Sequence, residues 1–381
     1  VPNHLTFMIF NHIAIFPEEL WPRQIAVNGS VLMEGQKMSK SYGNIIPLRE
    51  AIDMFGADPL RLAVLATSEL LQDADFSPTL AKSMQGRLER LYRFAVETTK
   101  MKASETAEAP VLTATDRWML SRLQYHIRRA TEAMDKLAVR KAIHSALYEL
   151  EQDFQWYLRR TAEERESLKG KTVTAKVFSE VLDTQVRMLA PVTPHICEEI
   201  WEKMGREGFV SLAAWPKPDE SKVDISAEEN EALIRSMLED TLNIFRATSI
   251  TPKKICYYTA ASWKWKVYLN ALEMSVSAKI VQSELMRELM KDADMKKVAK
   301  HVAKFVGQII DEVDRMPSEK RRGQLKVGII DENKALKEAE AFFKREFNAE
   351  ICVYNEEDLD CYDPKKRAQL ARPYRPAIYI E

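Results

Sequence analysis

The residues best equipped for chemistry sit close together near the start of the chain. Gly35-Gln-Lys-Met-Ser-Lys-Ser-Tyr-Gly43 places Lys37 and Lys40 on one short stretch, with the hydroxyls of Ser39 and Ser41 beside them and a glycine at each end. Glycine lets a backbone change conformation at low steric cost. Lysine carries a flexible point charge, suited to following phosphate oxygens that shift during a reaction. Two such charges on a mobile loop would stabilise the negative charge that builds on a departing pyrophosphate. Taken alone, the same spacing also describes an ordinary solvated surface loop.

The surrounding residues show what must position this loop. Gln24–Val27 reads as a strand, and Asn28-Gly29 as a hairpin turn leading into Val31-Leu32-Met33. Pro47 to Gly56 reads as a helix with proline at its start and glycine at its end. Asp58-Pro59 repeats the start signal, with Asp58 as the N-cap. Three apolar stripes follow at helical spacing: Met119, Leu123, Ile127, Ala130, Met134 and Leu137; Ile143, Leu147, Leu150 and Phe154; Val177, Val181 and Met188. Pro191 ends the third helix, and Thr193-Pro194 begins another. The polar stretch Lys100–Ala114 reads as a surface connection. Beyond about residue 245 strands are expected at Ile255–Thr259, Trp263–Tyr268, Gln324–Ile330, Ala349–Tyr354 and Ala377–Ile380, with a helix through Phe305–Val313.

Composition sets outer bounds. At 381 residues the chain has room for two or three cores. Apolar residues make up 46% and charged residues 30%, an ordinary globular balance, and no run reaches a membrane span. The opening residues lack the features of a signal peptide. Cys197, Cys256, Cys352 and Cys361 form no C-x-x-C pair, which argues against a zinc site or disulfide framework and for a reducing, cytoplasmic setting. Net charge is −1, so any nucleic-acid partner must be met by local basic faces. The chain opens on Val1 inside an apolar stretch, which reads as a cut through a domain.

The literal string Lys37-Met38-Ser39-Lys40-Ser41 resembles the KMSKS signature of class I aminoacyl-tRNA synthetases. Asn28-Gly29, Leu32-Met33, Gly43-Asn44 and Gly56-Ala-Asp58-Pro59-Leu-Arg61 resemble its flanks. Asp116-Arg-Trp118-Met-Leu-Ser121, Met188-Leu-Ala-Pro191-Val-Thr193-Pro194-His195 with Glu198-Glu199-Ile-Trp201, and Trp215-Pro216 resemble landmarks of the isoleucyl, valyl, leucyl and methionyl subgroup. The opening Pro2-Asn3-His4 through Trp21-Pro22 is similar to the leucyl branch of archaeal and eukaryotic type, and C-x-x-C knuckles of the other branches are missing. The alternatives are an isoleucyl, valyl or methionyl relative, or a non-catalytic tRNA-binding module.

The resemblance implies a multidomain, mainly α protein. Residues 1–80 would be the end of a Rossmann-type α/β catalytic domain, 81–244 an anticodon-binding-type helical bundle, and 245–381 a small α/β (α+β) tRNA-binding domain. It implies ATP with Mg2+ as substrate, Lys40 and then Lys37 as the catalytic cations, and Met38, Ser39, Ser41, Leu32 and Met33 around the nucleotide. His4 would wall the leucine side chain, and no metal would be held by the chain. The other ATP motif, H-x-G-H, occurs nowhere. The upstream half of the same polypeptide is therefore an expected partner, and the chain alone is expected to form no adenylate. Lys296, Lys297, Lys300 and Lys304 share one helical face, and Arg372 and Arg375 flank Tyr374. These are the candidate contacts to leucine tRNA. No membrane association is expected, and a monomer is.

Overall fold

Apolar residues recur at steps of three and four through most of the chain, so helices dominate and two small sheets accompany them. The computed structural model describes residues 2–101, 111–163, 165, 168–277 and 279–381, which leaves most of the Lys100–Ala114 connection outside the described residues. They fall into two units. One is Val1–Pro110 with Leu123–Trp156 and Glu163–Asp219; the other is Val111–Arg122 with Tyr157–Ala162 and Glu220–Glu381. Among the described residues no helix is long and apolar enough to cross a membrane.

In the first unit α1 (Pro2–Ile15) precedes β1 (Val31–Met33), β2 (Gln36–Lys37), α2 (Leu48–Phe55), α3 (Ala57–Leu65) and β3 (Ala74–Phe76). The strand order is β2-β1-β3, and Leu32 lies opposite Lys37 on the antiparallel side and Asp75 on the parallel side. Gln24–Val27 is irregular rather than a strand, and Asn28-Gly29 forms no hairpin. Gly29 answers a different need: a Cβ there would sit 2.4 Å from the Gln72 carbonyl oxygen. The hairpin turn falls instead at Glu34-Gly35, whose φ angles of 48° and 77° suit a tight two-residue connection.

The helical part comprises α4 (Pro78–Lys100), α5 (Ala114–Asp135), α6 (Val139–Ile143), α7 (Leu150–Arg160), α8 (Leu168–Leu189) and α9 (Pro194–Lys203). Ser77 caps α4 by accepting a hydrogen bond from Leu80 N at 3.1 Å. The expected stripes are buried at Met119, Leu123, Ile127 and Ala130, at Ile143, Leu147, Leu150 and Phe154, and at Val177, Val181 and Met188. Leu137 breaks ranks, exposed and at φ 54° just beyond the end of α5. Between α6 and α7 the chain makes a π-helical segment, His144–Glu149, that no residue pattern announces.

The second unit holds α10 (Ile225–Thr248), β4 (Lys254–Thr259), α11 (Ser262–Ser277), α12 (Gln282–Leu289), α13 (Ala293–Lys297) and α14 (Ala299–Asp314). It continues with α15 (Ser318–Val327), α16 (Glu332–Glu338), α17 (Glu340–Phe347), β5 (Glu350–Asn355) and β6 (Ala377–Ile380). β4 is central, parallel to β5 and antiparallel to β6. Its residues Ile255 to Tyr258 are fully buried, as a strand covered on both faces must be. Tyr257 shares a 3.0 Å hydrogen bond with the Thr241 hydroxyl and packs on Phe343, while Cys256 and Tyr258 face Ala368 and Ala371.

Two expected strands are helical here. Trp263–Tyr268 lies within α11, because Lys264 and Trp265 are both buried with Val267, Tyr268, Ala271 and Leu272, a helical rather than alternating pattern. The Lys264 ammonium donates to the carbonyls of Gln369 and Ala371 at 2.8 and 2.7 Å and pairs with Glu356 at 2.7 Å. Gln324–Val327 completes α15, and Gly328 at φ 73° ends it; the buried side chain there is Gln324, held by the Tyr268 hydroxyl at 2.5 Å.

Gly29→Ala is expected to cost about 1–3 kcal/mol through that close approach, read as a lower urea midpoint. Gly307→Ala in α14, where an added Cβ meets nothing within 4 Å, should gain about 0.5–1 kcal/mol. Equal midpoints would remove this account of Gly29.

Burial pushes the Glu332 carboxyl, which accepts from Tyr374 N and Ala260 N, up to about 7 from an ordinary 4.5. The folded chain thus holds this proton more tightly than the unfolded chain. The stabilising contribution is complete below about pH 4.5 and is lost as pH rises through about 7. Glu332→Gln should flatten the fall in stability between roughly pH 5 and 8, by at most about 3 kcal/mol; an unchanged slope in denaturation against pH would refute it.

Candidate functional site

The Lys37–Ser41 loop grows out of the β1–β2 hairpin. Its base is pinned from β3 and the residue before it: Asp75 Oδ1 accepts from Gly35 N, and Asp73 Oδ1 from Ser30 N, each at 2.7 Å. Lys37 ends β2, and Lys40 opens a single 3-10 turn, Lys40–Tyr42, closed by Gly43 at φ 65°. Asn44 ties the two arms together: its Oδ1 accepts from Ser39 N at 2.9 Å and its Nδ2 donates to the Lys37 carbonyl at 3.2 Å. The Ser39 and Ser41 hydroxyls share a 2.7 Å hydrogen bond.

Lys37 and Lys40 are exposed, and neither ammonium has an ion-pair partner among the described residues. Two unneutralised cations on a tied loop with paired hydroxyls form a donor set for an anion with several oxygens. Met38 and Leu32 are half-buried and Met33 is buried, so they support the hairpin from beneath. Asn44, Asp73 and Asp75 were not singled out from the sequence. Their positions beside Gly43 and across from β1 carry a weak signal, since Asn and Asp often bond turn backbones.

The other expected site residues are not gathered at the loop. His4 is exposed on α1, with no hydrogen bond or ring contact to the loop among the described residues. Phe7, Phe10 and Ile15 of the same helix are 68–71% exposed.

Lys296 and Lys297 lie on α13 and Lys300 and Lys304 on α14, with a break at Val298 (φ −110°, ψ 19°), so they share no continuous helix. All four are exposed, and Lys297 is paired with Asp294 at 2.8 Å. Arg375 is exposed, but Arg372 is half-buried and donates to Glu312 at 3.1 Å. The Tyr374 ring lies against Trp265 and Tyr268, centroids 5.2 and 5.8 Å away, so it serves the interior rather than a stacking surface.

The structure instead reveals a joint between two of the motifs singled out above. Arg61 on α3 donates from Nε to the Val192 carbonyl and from Nη2 to the Pro191 carbonyl, both at 2.9 Å. Asp58 does not cap its own helix. It accepts from Ile196 N at 2.7 Å and from His195 Nδ1 at 2.8 Å, capping the first turn of α9 from outside. Thr193, expected to begin α9, turns its hydroxyl back to the Leu189 carbonyl at 3.3 Å. A groove of about 660 Å³ lies here, lined by Phe55, Asp58, Tyr92, Arg93 and His195 among others.

Other landmarks are likewise structural. Glu198 accepts from Val210 N and Ser211 N, Trp215 donates to Thr131, and Asp116 accepts from Thr113 and the Tyr157 hydroxyl. Deep in the bundle His126 joins Ser145 at 3.1 Å and Asp153 at 3.0 Å, all three buried away from any substrate.

Residues 116–256 match the family described as the anticodon-binding domain of tRNA ligase, and residues 5–86 match class I tRNA synthetases (M). The whole chain is 40% identical to a leucine–tRNA ligase of Methanosarcina acetivorans, spanning 38% of that protein. It is 42% identical to one of Pyrococcus horikoshii, spanning 37%. The chain thus spans under two fifths of the length of these relatives. A crystal structure of a LeuRS-tRNA-LeuAMS ternary complex from Agrobacterium radiobacter K84 aligns with 62% of this chain and 26% of that one. Its TM-score is 0.44 and its identity 21%, too distant to add to the sequence relationship.

Asp58→Ala would leave the buried Ile196 N–H without its acceptor and is expected to cost about 1–3 kcal/mol. His195→Ala, at a side chain 73% exposed, should cost less than about 1 kcal/mol. Guanidinium denaturation of both variants checks the order, and a reversal would mean the imidazole rather than the cap holds the joint.

Proposed function

We propose, from the premise that the chain belongs to the leucine–tRNA ligase family, that it supplies the ATP-phosphate loop and tRNA-binding parts of a leucine–tRNA ligase. The observation that carries this reading is the tied Lys37–Ser41 loop with two exposed, unneutralised ammonium groups, in a chain about 40% identical to such ligases along its whole length.

In the reaction the leucine carboxylate attacks the α-phosphorus of ATP, and the bond to the departing pyrophosphate breaks. Lys40, and secondarily Lys37, would stabilise the charge collecting on that leaving group, with the Ser39 and Ser41 hydroxyls beside them. Mg2+ would travel with the nucleotide and share the neutralisation. Leu32 and Met33, on the strand before the loop, would underlie the adenine. His4, exposed on α1, would complete a leucine pocket with residues from the rest of the ligase.

The anticodon-binding match over 116–256 supports RNA contact by the bundle. Lys296, Lys297, Lys300, Lys304 and Arg375 would add phosphate contacts from the second unit. Arg372, engaged with Glu312, would shape the segment that carries Arg375. The chain would act in the cytoplasm as part of a monomeric ligase.

In a full-length ligase carrying this chain, Lys40→Ala should lower kcat of leucine-dependent ATP–pyrophosphate exchange by roughly 10²–10³-fold, with Lys37→Ala milder. Replacing Lys296, Lys297, Lys300 and Lys304 by Glu should weaken binding of leucine tRNA while leaving exchange unchanged. Undiminished exchange by Lys40→Ala would sink the assignment of the loop.

A further inference from the structure

Four cysteines lie far apart in sequence, yet the fold gathers three of them on one face of the β5-β4-β6 sheet. Cys256 on β4 and Cys352 on β5 are direct Cα partners in the parallel register, so their side chains share a face. Cys361 packs against the same cluster from the connection that precedes β6. Cys197 is elsewhere, fully buried in α9 beside Thr193.

Adjacent strands lie about 4.8 Å apart, within the roughly 4.4–6.8 Å between Cα atoms that a disulfide bridges. The two thiols differ in access: Cys256 is fully buried, whereas Cys352 is partly open to solvent. Charges surround the open one. Its Sγ lies 3.5 Å from Glu350 Oε1, and the Lys254 ammonium lies 3.5 Å from the same oxygen. An accessible thiol beside a cation, with a second thiol behind it, is the arrangement of an attacking and a resolving cysteine.

We propose that Cys352 and Cys256 form an oxidation site that takes a peroxide and closes to a disulfide between β5 and β4. Cys352, as thiolate, attacks one peroxide oxygen; the S–O bond forms, the O–O bond breaks, and the departing hydroxide takes up the proton Cys352 released, giving water. Cys256, as thiolate, then attacks the Cys352 sulfur. The S–S bond forms, the S–O bond breaks, and hydroxide leaves as a second water with the proton from Cys256. Burial pushes the Cys256 thiol up to about 11, so this second step should quicken about tenfold per pH unit near neutrality. The site is independent of the ATP loop and of RNA binding.

The test treats the 381-residue chain with hydrogen peroxide and maps its peptides without reduction. The expected result is a cross-linked pair containing Cys256 and Cys352, two hydrogens lighter than the free peptides and released by dithiothreitol, with Cys197 still free. In Cys256→Ser, dimedone should label Cys352 at least about tenfold above Cys197. A cross-link from Cys352 to Cys361 would overturn the pairing, and a chain left fully reduced would overturn the site. Should Cys256→Ser not fold, the map of the unsubstituted chain decides alone.

Discussion

Two helices that meet at a proline-bounded corner leave backbone groups that neither can satisfy, and the first unit is organised around resolving that conflict. The corner between α8 and α9 exposes the carbonyls of Pro191 and Val192 on one side and the Ile196 N–H on the other. α3 meets both at once, with Arg61 donating and Asp58 accepting. Charged hydrogen bonds in such a buried joint are worth more than neutral ones, and leaving any partner unmet would cost more still. α3 leads to β3, β3 pairs with β1, and Asp75 of β3 holds Gly35. The position of the Lys37–Ser41 loop is therefore set by a joint with the bundle helices as well as by its own hairpin.

Much of the first unit was legible because its signals are redundant. Stripes such as Met119–Ala130 and Val177–Met188 repeat over several turns, and proline and glycine bracket α2, so each helix is marked more than once. The joint was not legible. Asp58-Pro59 carries a sound helix-start pattern, but nothing local says that a carboxylate in a first turn will serve a different helix more than a hundred residues away. Asn28-Gly29 failed for a related reason: glycine was required by the nearness of Gln72, a long-range fact, while its neighbour suggested a local turn.

In the second unit the sequence misled where aromatic and β-branched content was taken for strand. Trp263–Tyr268 has that content, but its lysines are unequal: Lys264 is buried on three oxygens, and Lys266 is exposed and paired with Asp292. Alternation in residue type was therefore not alternation in burial. The aromatic beside the terminal arginines behaved likewise, since Tyr374 turns inward and Arg372 bonds Glu312, leaving Arg375 exposed. Cysteine spacing spoke against a permanent disulfide framework. It could not reveal that two strands nearly a hundred residues apart pair in parallel with Cys256 beside Cys352.

The π-helical segment His144–Glu149 constrains which length changes this bundle tolerates. A π turn holds one more residue than the α turn it replaces. Removing any single residue there would let the helix close up into regular form, but everything beyond would swing about 100° around the axis. Asp153 would then leave His126, and Leu150 and Phe154 would rotate out of the interior they now fill. Neighbouring loops can gain or lose residues one at a time; this helix keeps its residue count because its two halves are phased by the extra one.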